Sequence, residues 1–388
     1  MNNVESVLFS LVRHQLFGDG DSAGVAREAT SVPIGELFGL ARHHDLSHLV
    51  GAALDSAGLL GEDDTSRIIR KAQMAAIYRY RGMDYELHSV RELFTKEGIK
   101  HIPLKGAVIR GYYPEPWMRT SCDIDILIHR EDLDRAVALL TERLEYKLTS
   151  RCFHDVAFYS PGGVHLELHF DLIEEFYFPR IEKILSEVWE YSIPKQDGFE
   201  HLMRDDFFYL YHIAHMLKHF VSGGCGIRFF ADLYMLDTRV ECDRDAREAL
   251  LESAGILEFA RRASKLARIW FAGEESDEFY SDFASFVIAG GVYGTTETKV
   301  MVQQKRKGGR LGYAMRRIFL PYKTLREIFP ILKRHKWLTP AFEVVRWFRL
   351  VFGGRLTSSL QELRSNATLS EADAKRAEDM MRGLGLSE

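Results

Sequence analysis

Two aspartates, Asp123 and Asp125, interrupt the apolar run of Ile124, Ile126, Leu127 and Ile128 in the stretch CDIDILIH. Aspartate is disfavoured in strands and costly to bury unpaired, so its repetition one residue apart on a β-prone segment points to chemistry. Strand side chains alternate between faces, so Asp123 and Asp125 project together while Ile124 and Ile126 turn toward a core. Carboxylates about 7 Å apart along a strand repel unless a cation lies between them. Mg²⁺ suits the arrangement, because it takes hard oxygens and often only one or two carboxylates beside substrate phosphates. A third acid should come from a neighbouring strand. In VHLELHFDL the side chains of His165, Glu167 and His169 share one face, opposite Leu166, Leu168 and Phe170. Glu167 is the chosen third ligand, with Asp171 two residues further along. The competing reading is an edge strand whose aspartates simply lie in water.

Upstream, LKG places Lys105 and Gly106 where a strand gives way to a helix. A glycine there lets the backbone approach a phosphate, the first free N–H groups of the helix can hold it, and a lysine adds charge.

The run LKGAVIRGYYPEPWMRTSCDIDILIHREDLDRAVALL, followed by VHLELHF, resembles the bacterial nucleotidyltransferase-like family within the polymerase-β-type superfamily. The stretches LARHHDLSHLV, HIAHMLKHF with GIRFFADL, and FPILKRHKWLTPAFEVVRWFR extend the resemblance over most of the chain. It implies transfer of a nucleoside monophosphate from an NTP to a hydroxyl, with two Mg²⁺ ions (Mn²⁺ as the alternative) held by three acids. Carried over by position, Lys105, Gly106 and Ala107 form the phosphate turn, Asp123 and Asp125 the acidic pair, and Glu167 the third acid and general base. Ala107 stands where the superfamily has serine or a second glycine, and the gap from Gly106 to Asp123 is longer than usual. That gap leaves GYYPEPWMR as a loop near the site. Arg119, in this connection, has two readings, a triphosphate contact or a salt bridge. His169, on the acidic face of its strand, is a candidate nucleotide contact.

The segment YHIAHMLKHF sets His212, His215 and His219 on one helical face, followed by Arg228 and Asp232 at i, i+4. His215 and His219 have the HxxxH spacing of a zinc site, but Met216 occupies the position of a metalloprotease glutamate. Three readings stand: packing between helices, contact with nucleotide or acceptor by His215, His219 and Arg228, or metal. The resemblance favours the second.

Around these residues the elements change character along the chain. Residues 1–95 have helical periodicity, including one long amphipathic helix ending near Gly98. Residues 96–173 alternate short strands with the amphipathic helix REDLDRAVALLTERL and a PGG turn, the 161–163 bend of a hairpin. Residues 174–289 are mostly helical and contain the histidine block. Residues 290–388 are basic, aromatic and mostly helical. The expected fold is therefore α+β, a small mixed-sheet nucleotidyltransferase core flanked by helical regions.

The net charge of −5 conceals an asymmetry. From Lys299 to Arg349, 14 Lys and Arg residues stand against Glu327 and Glu343, a balance of +12 that leaves −17 for the remainder. Such a segment should face something anionic: a membrane surface, nucleic acid, or NTP phosphates, unless its basic face is merely solvated. The N-terminus lacks the basic residues of a signal peptide, no apolar stretch reaches membrane-spanning length, and the four cysteines are scattered without a CxxC pair. These features predict a cytoplasmic protein with reduced thiols, with a peripheral place at the inner membrane face as the alternative. The partners expected are an NTP and an unidentified hydroxyl-bearing acceptor. A different class of reading keeps the fold without the reaction: a nucleotide- or partner-binding protein, such as an antitoxin-like regulator.

Overall fold

A computed structural model describes residues 2–18, 22–172, 178–196, 198–292, 294–306, 308–352 and 356–386. The chain divides into two compact units, one of residues 1–216 with 227–277 and one of residues 217–226 with 278–388.

The first unit opens with helices α1 (Asn3–Phe17), α2 (Ser22–Thr30), α3 (Ile34–His43), α4 (Ser47–Ser56) and the 33-residue α5 (Asp64–Lys96). Local chemistry sets their limits. Asn2 and Glu5 form a reciprocal capping box at the start of α1. Asp63 accepts the Ser66 N–H to start α5, and Gly98, at φ 70°, turns the chain out of it. The long helix and its stop near Gly98 are thus as the periodicity predicts.

Five strands follow: β1 (His101–Pro103), β2 (Asp123–Ile128), β3 (Lys147–Arg151), β4 (Asp155–Tyr159) and β5 (His165–His169). Two short helices, α6 (Gly106–Ile109) and α7 (Leu133–Arg143), lie between them in sequence. The sheet order is β1-β2-β5-β4-β3, and β2 with β5 is its parallel pair. The predicted hairpin forms, β4 and β5 pairing antiparallel around the turn at Gly163 (φ 79°). One face of the sheet is the core. Ile124, Ile126, Ile128, Phe158, Leu166 and Leu168 pack there against Val90 and Phe94 of α5 and Leu140 of α7. The other face carries the polar residues of β2 and β5. The fold is α+β, as the sequence predicts.

One element was not expected in the helical stretch after residue 174: β6 (Ser192–Pro194) pairs with β7 (His201–Met203). Three-residue strands are too short to show alternation, and only Gly198, at φ 74°, marks the bend between them. His101 in β1 then bridges to Glu200, and its N–H donates to the Phe199 carbonyl at 2.9 Å. Helices α8 (Pro179–Leu185), α9 (Asp205–Ser222), α10 (Ile227–Arg239), α11 (Arg244–Ala254) and α12 (Leu257–Ala272) complete the helical complement around the sheet, with Phe9 of α1 stacked on Trp270 of α12.

The second unit contains the end of α9 and helices α13 (Glu278–Gly290), α14 (Thr296–Arg306), α15 (Gly309–Ile318), α16 (Tyr322–Ile328), α17 (Thr339–Phe352), α18 (Leu356–Thr368) and α19 (Glu371–Gly383). Its SGGCG loop is glycine-rich because backbones meet: a Cβ at Gly226 would lie 2.9 Å from Val292 Cα. A smaller apolar cluster of Leu325, Phe329 and Leu332 gathers Phe342 of α17.

Truncating the sheet core tests this packing. Ile126→Ala should cost about 2–5 kcal/mol, the usual cost of a cavity at a fully buried aliphatic, read as a lowered urea midpoint of the first unit.

Candidate active site

The parallel register of β2 and β5 does the placing. Asp123 pairs with His165, Asp125 with Glu167 and Leu127 with His169, so the two aspartates and the glutamate stand side by side on the face turned away from the core. Asp123, His165 and Glu167 can offer ligand atoms within 4.8 Å of one another, as can Asp125, Glu167 and His169.

Asp125 is the buried member, 2% exposed. Its Oδ1 receives Lys105 Nζ at 2.8 Å and His169 Nε2 at 2.9 Å. Burial alone would raise its pKa, but Lys105 and His169 outweigh burial and hold the carboxyl well below the usual carboxylate range. Lys105 responds in the opposite sense. Burial disfavours its charge, but Asp125 more than compensates and keeps the ammonium protonated. Asp123 differs: burial and repulsion from Asp125 and Glu167 raise its pKa, against a partial offset from Lys105, and no ion pair holds it among the described residues. Glu167 is more accessible, with Oε2 3.5 Å from His169 Nε2 and Oε1 3.9 Å from His165 Nδ1.

Lys105 reaches Asp125 from an unusual backbone. Its φ of 43° and ψ of −118° belong to a region that favours glycine, a strain of about 1–3 kcal/mol that surrounding contacts must hold. Those contacts are the Asp125 ion pair, the bond from Leu104 N–H to the Asp125 carbonyl, and the Lys105 carbonyl's bonds from Val108 and Ile109. The turn that follows faces inward. A Cβ at Gly106 would lie 3.1 Å from Arg119 Nη1 and 3.2 Å from Ser121 Oγ, so the glycine makes room for these side chains. Ala107 packs against the apolar core, and its N–H donates to the Leu104 carbonyl.

Arg119 makes the salt bridge. Its Nε and Nη2 donate to the Asp232 carboxylate, the latter at 2.8 Å, and Nη1 donates to the Thr120 carbonyl. Asp232, on α10, is 0% exposed and also accepts from Tyr113 Oη at 2.7 Å. Arg228 lies close by in this network, with Nη1 3.2 Å from both Asp45 Oδ2 and the Thr120 carbonyl. Thr120 Oγ1 donates to the same Asp45 oxygen, and His48 Nε2 lies 2.8 Å from the Met118 carbonyl. The loop that enters β2 is therefore fastened at both sides, by α10 and by the turn between α3 and α4.

The structure thus brings together Lys105, Asp123, Asp125, Glu167 and His169. It places Arg119 and Arg228 in the loop anchor. His215 sits on α9 with its ring 5.6 Å from Phe229 and 6.4 Å from Tyr211, whereas His219 belongs to the second unit. Two contributors escaped the sequence reading. Tyr211 of α9 is buried where its hydroxyl feels Lys105, Asp125, Asp123 and Glu167, and burial together with the acids pushes its pKa up. His154 and Asp155 lie beside His169, with His154 Nε2 2.7 Å from Asp155 Oδ2, and these three form another group able to hold a metal ion. The i, i+4 spacing of Tyr211 and His215 was the available signal for the tyrosine.

Asp123 and Asp125 of β2 and Glu167 of β5 thus stand together on the polar face of a small mixed sheet, a donor set able to hold a metal ion. A family model described as an uncharacterised nucleotidyltransferase matches residues 30–272, and the chain belongs to that family. No curated protein and no solved structure matches it.

The loop anchor yields a pH-dependent prediction. Arg119→Met should destabilise the first unit by about 3–5 kcal/mol at neutral pH, because it leaves the Asp232 charge buried without its cation. Burial raises the Asp232 pKa but Arg119 outweighs it, so the folded value lies below the ordinary 3.8. The wild-type contribution is whole above that unfolded value and fades as pH falls through the depressed one. In the variant, burial is opposed only by the weaker influence of His212 and the Tyr113 hydrogen bond, and acidification relieves the penalty. Urea titrations of the two proteins should therefore differ less at low pH than at neutral pH.

Proposed function

We propose that the chain is a Mg²⁺-dependent nucleotidyltransferase of the polymerase-β type, a bacterial cytoplasmic enzyme that moves a nucleoside monophosphate from an NTP to a hydroxyl acceptor and releases pyrophosphate. The observation that carries this reading is the register of β2 and β5, which sets Asp123, Asp125 and Glu167 on one polar face.

The donor set fits the metal. All three ligands are hard carboxylate oxygens, Asp123 has repulsive neighbours and, among the described residues, no ion pair, and the Asp125 side chain has a second oxygen beyond the one taken by Lys105 and His169. Asp123, Asp125 and Glu167 would hold one or two Mg²⁺ ions, with Mn²⁺ as the alternative. Bound there, the metal neutralises triphosphate charge and lowers the pKa of the attacking hydroxyl.

The remaining work belongs to the chain. His169 and Lys105 fix Asp125 in its ionised form and orientation. The Glu167 carboxylate, only partly buried, accepts the proton of the acceptor hydroxyl as its oxygen attacks the α-phosphorus. The bond from that phosphorus to the pyrophosphate oxygen breaks, and the Lys105 ammonium supplies positive charge beside the departing phosphates. His215 and Tyr211, one turn apart on α9, would contact nucleotide or acceptor. One observation favours the alternative of a nucleotide- or partner-binding protein without turnover: Lys105 pairs with one of the three acids.

Calorimetric titration with non-hydrolysable NTP analogues tests the proposal. Binding should require Mg²⁺ and should be lost in Asp123→Asn, which leaves the buried Lys105–Asp125 pair intact, and in the Asp123→Ala/Asp125→Ala double variant. Absence of NTP binding by the folded wild-type chain would refute the enzyme. Glu167→Gln should keep nucleotide binding but lower the rate of pyrophosphate release about 10²–10⁴-fold, the ordinary contribution of a general base. Mg²⁺-dependent binding without turnover on any hydroxyl acceptor would favour the binding protein.

A further inference from the structure

The second unit contains a helix that buries a charged pair and exposes an apolar stripe. In α17 the sheltered side chains are charged: Glu343 and Arg346 are both buried and joined at 2.8 Å. Each also holds the end of α15. Glu343 Oε1 accepts the Leu320 N–H at 2.6 Å, and Arg346 Nη2 donates to the Ile318 carbonyl. Four apolar side chains of α17 face outward, while Phe342 packs on the Leu325, Phe329 and Leu332 cluster. Val344, Phe348 and Phe352 are exposed at i, i+4 and i+8 with Val345 beside them, and the two phenylalanine rings stack 6.1 Å apart.

Helix α15 and its end show a second stripe of the same kind. Tyr313 is buried, while Leu311 (77% exposed), Met315 and Phe319 stand outward at i, i+4 and i+8. Ile328, Ile331 and Trp337 (76% exposed) are exposed on the segment between the two helices. Ten of the eighteen large apolar side chains exposed among the described residues fall between Leu311 and Phe352. Concentration of this kind marks an interaction surface, whereas scattered exposed apolar residues mean nothing.

The charge of the same region says what covers it. From Gly308 to Phe352 ten Lys and Arg residues accompany two acids, and one of those acids, Glu343, is buried against Arg346. Arg316, Lys333, Arg334, Lys336 and Arg349 are exposed among the apolar residues. Nucleic acid would use the cations and some rings, but Val344, Val345, Leu311, Met315, Ile328 and Ile331 have no π-face on which a base can stack. An anionic bilayer uses every part: aliphatic and aromatic side chains enter the acyl boundary, Trp337 suits the interface, and the cations meet the headgroups. We propose that the α15–α17 face of the second unit seats on the surface of an anionic lipid bilayer. The contact is interfacial, because no described helix is long and apolar enough to cross a membrane. It does not rest on the carboxylate site, and its test uses no nucleotide.

The experiment is co-sedimentation of the full chain with phosphatidylcholine vesicles, with or without roughly 30% phosphatidylglycerol, in about 0.1 M NaCl. Binding to the anionic vesicles should be at least about tenfold tighter than to the neutral ones and should weaken about tenfold or more in 0.5 M salt. Phe348→Ser/Phe352→Ser, both on the exposed face, should weaken it to a similar degree while the thermal melt stays unchanged. Lys333→Glu/Lys336→Glu should abolish the preference for anionic lipid. A folded chain that remains in the supernatant overturns the proposal. So does vesicle binding that the phenylalanine variant leaves intact. Tight binding of a single-stranded oligonucleotide, or self-association abolished by the same variant, with no vesicle binding, assigns the face to a different partner and overturns it equally.

Discussion

A carboxylate with 2% of its surface in water cannot stay ionised without immediate compensation, and Asp125 is such a group. The ion pair with Lys105 leads that compensation, with His169 beside it, and much of the local architecture follows from it. Lys105 must come from the end of β1, on the neighbouring strand, and it adopts a backbone that favours glycine to do so. His169 must reach across from β5, which requires the parallel register. Once Asp125 is satisfied by these two, Asp123 and Glu167 remain with surplus negative charge on an accessible face. Anchoring one acid within the protein leaves the others to meet a ligand.

The second constraint is the loop into β2. A connection with two prolines and a tryptophan has little regular hydrogen bonding of its own, yet it sets where Asp123 begins. Buried polar contacts fix it: Tyr113 and Arg119 to Asp232, Thr120 and Arg228 to Asp45, and the Met118 carbonyl to His48. Asp45 between α3 and α4, His48 of α4 and the start of α10 therefore act through position, at a distance from the acidic face.

The β2 and β5 alternation was legible because period 2 is unambiguous when acids alternate with isoleucine and leucine; the choice of Glu167 followed from the same rule. The long helix α5 was legible through its apolar stripe and its glycine stop. What stayed hidden was long-range. Nothing near Arg119 in the chain announces Asp232, 113 residues away, and a loop arginine beside a suspected phosphate site invites either reading. Gly106 was read as an opening toward a ligand; that it also makes room for Arg119 and Ser121 is something only packing reveals. In α17 the periodicity marks an amphipathic helix but not which face turns inward. The Glu343–Arg346 pair reverses the usual assignment by giving its charges to backbone groups near the end of α15.

Both borders of the five-stranded sheet are closed to growth. On one side β1 is continued by the bridge from His101 to Glu200, so the chain itself covers that border. On the other, β3 is exposed along its length, begins with Lys147, ends with Arg151 and slips register between Leu148 and Ser150. A cationic, irregular border offers a poor template to another strand. The apolar interior can therefore be rich in isoleucine and leucine without inviting a second molecule to extend it, and association by this protein is left to its side-chain surfaces.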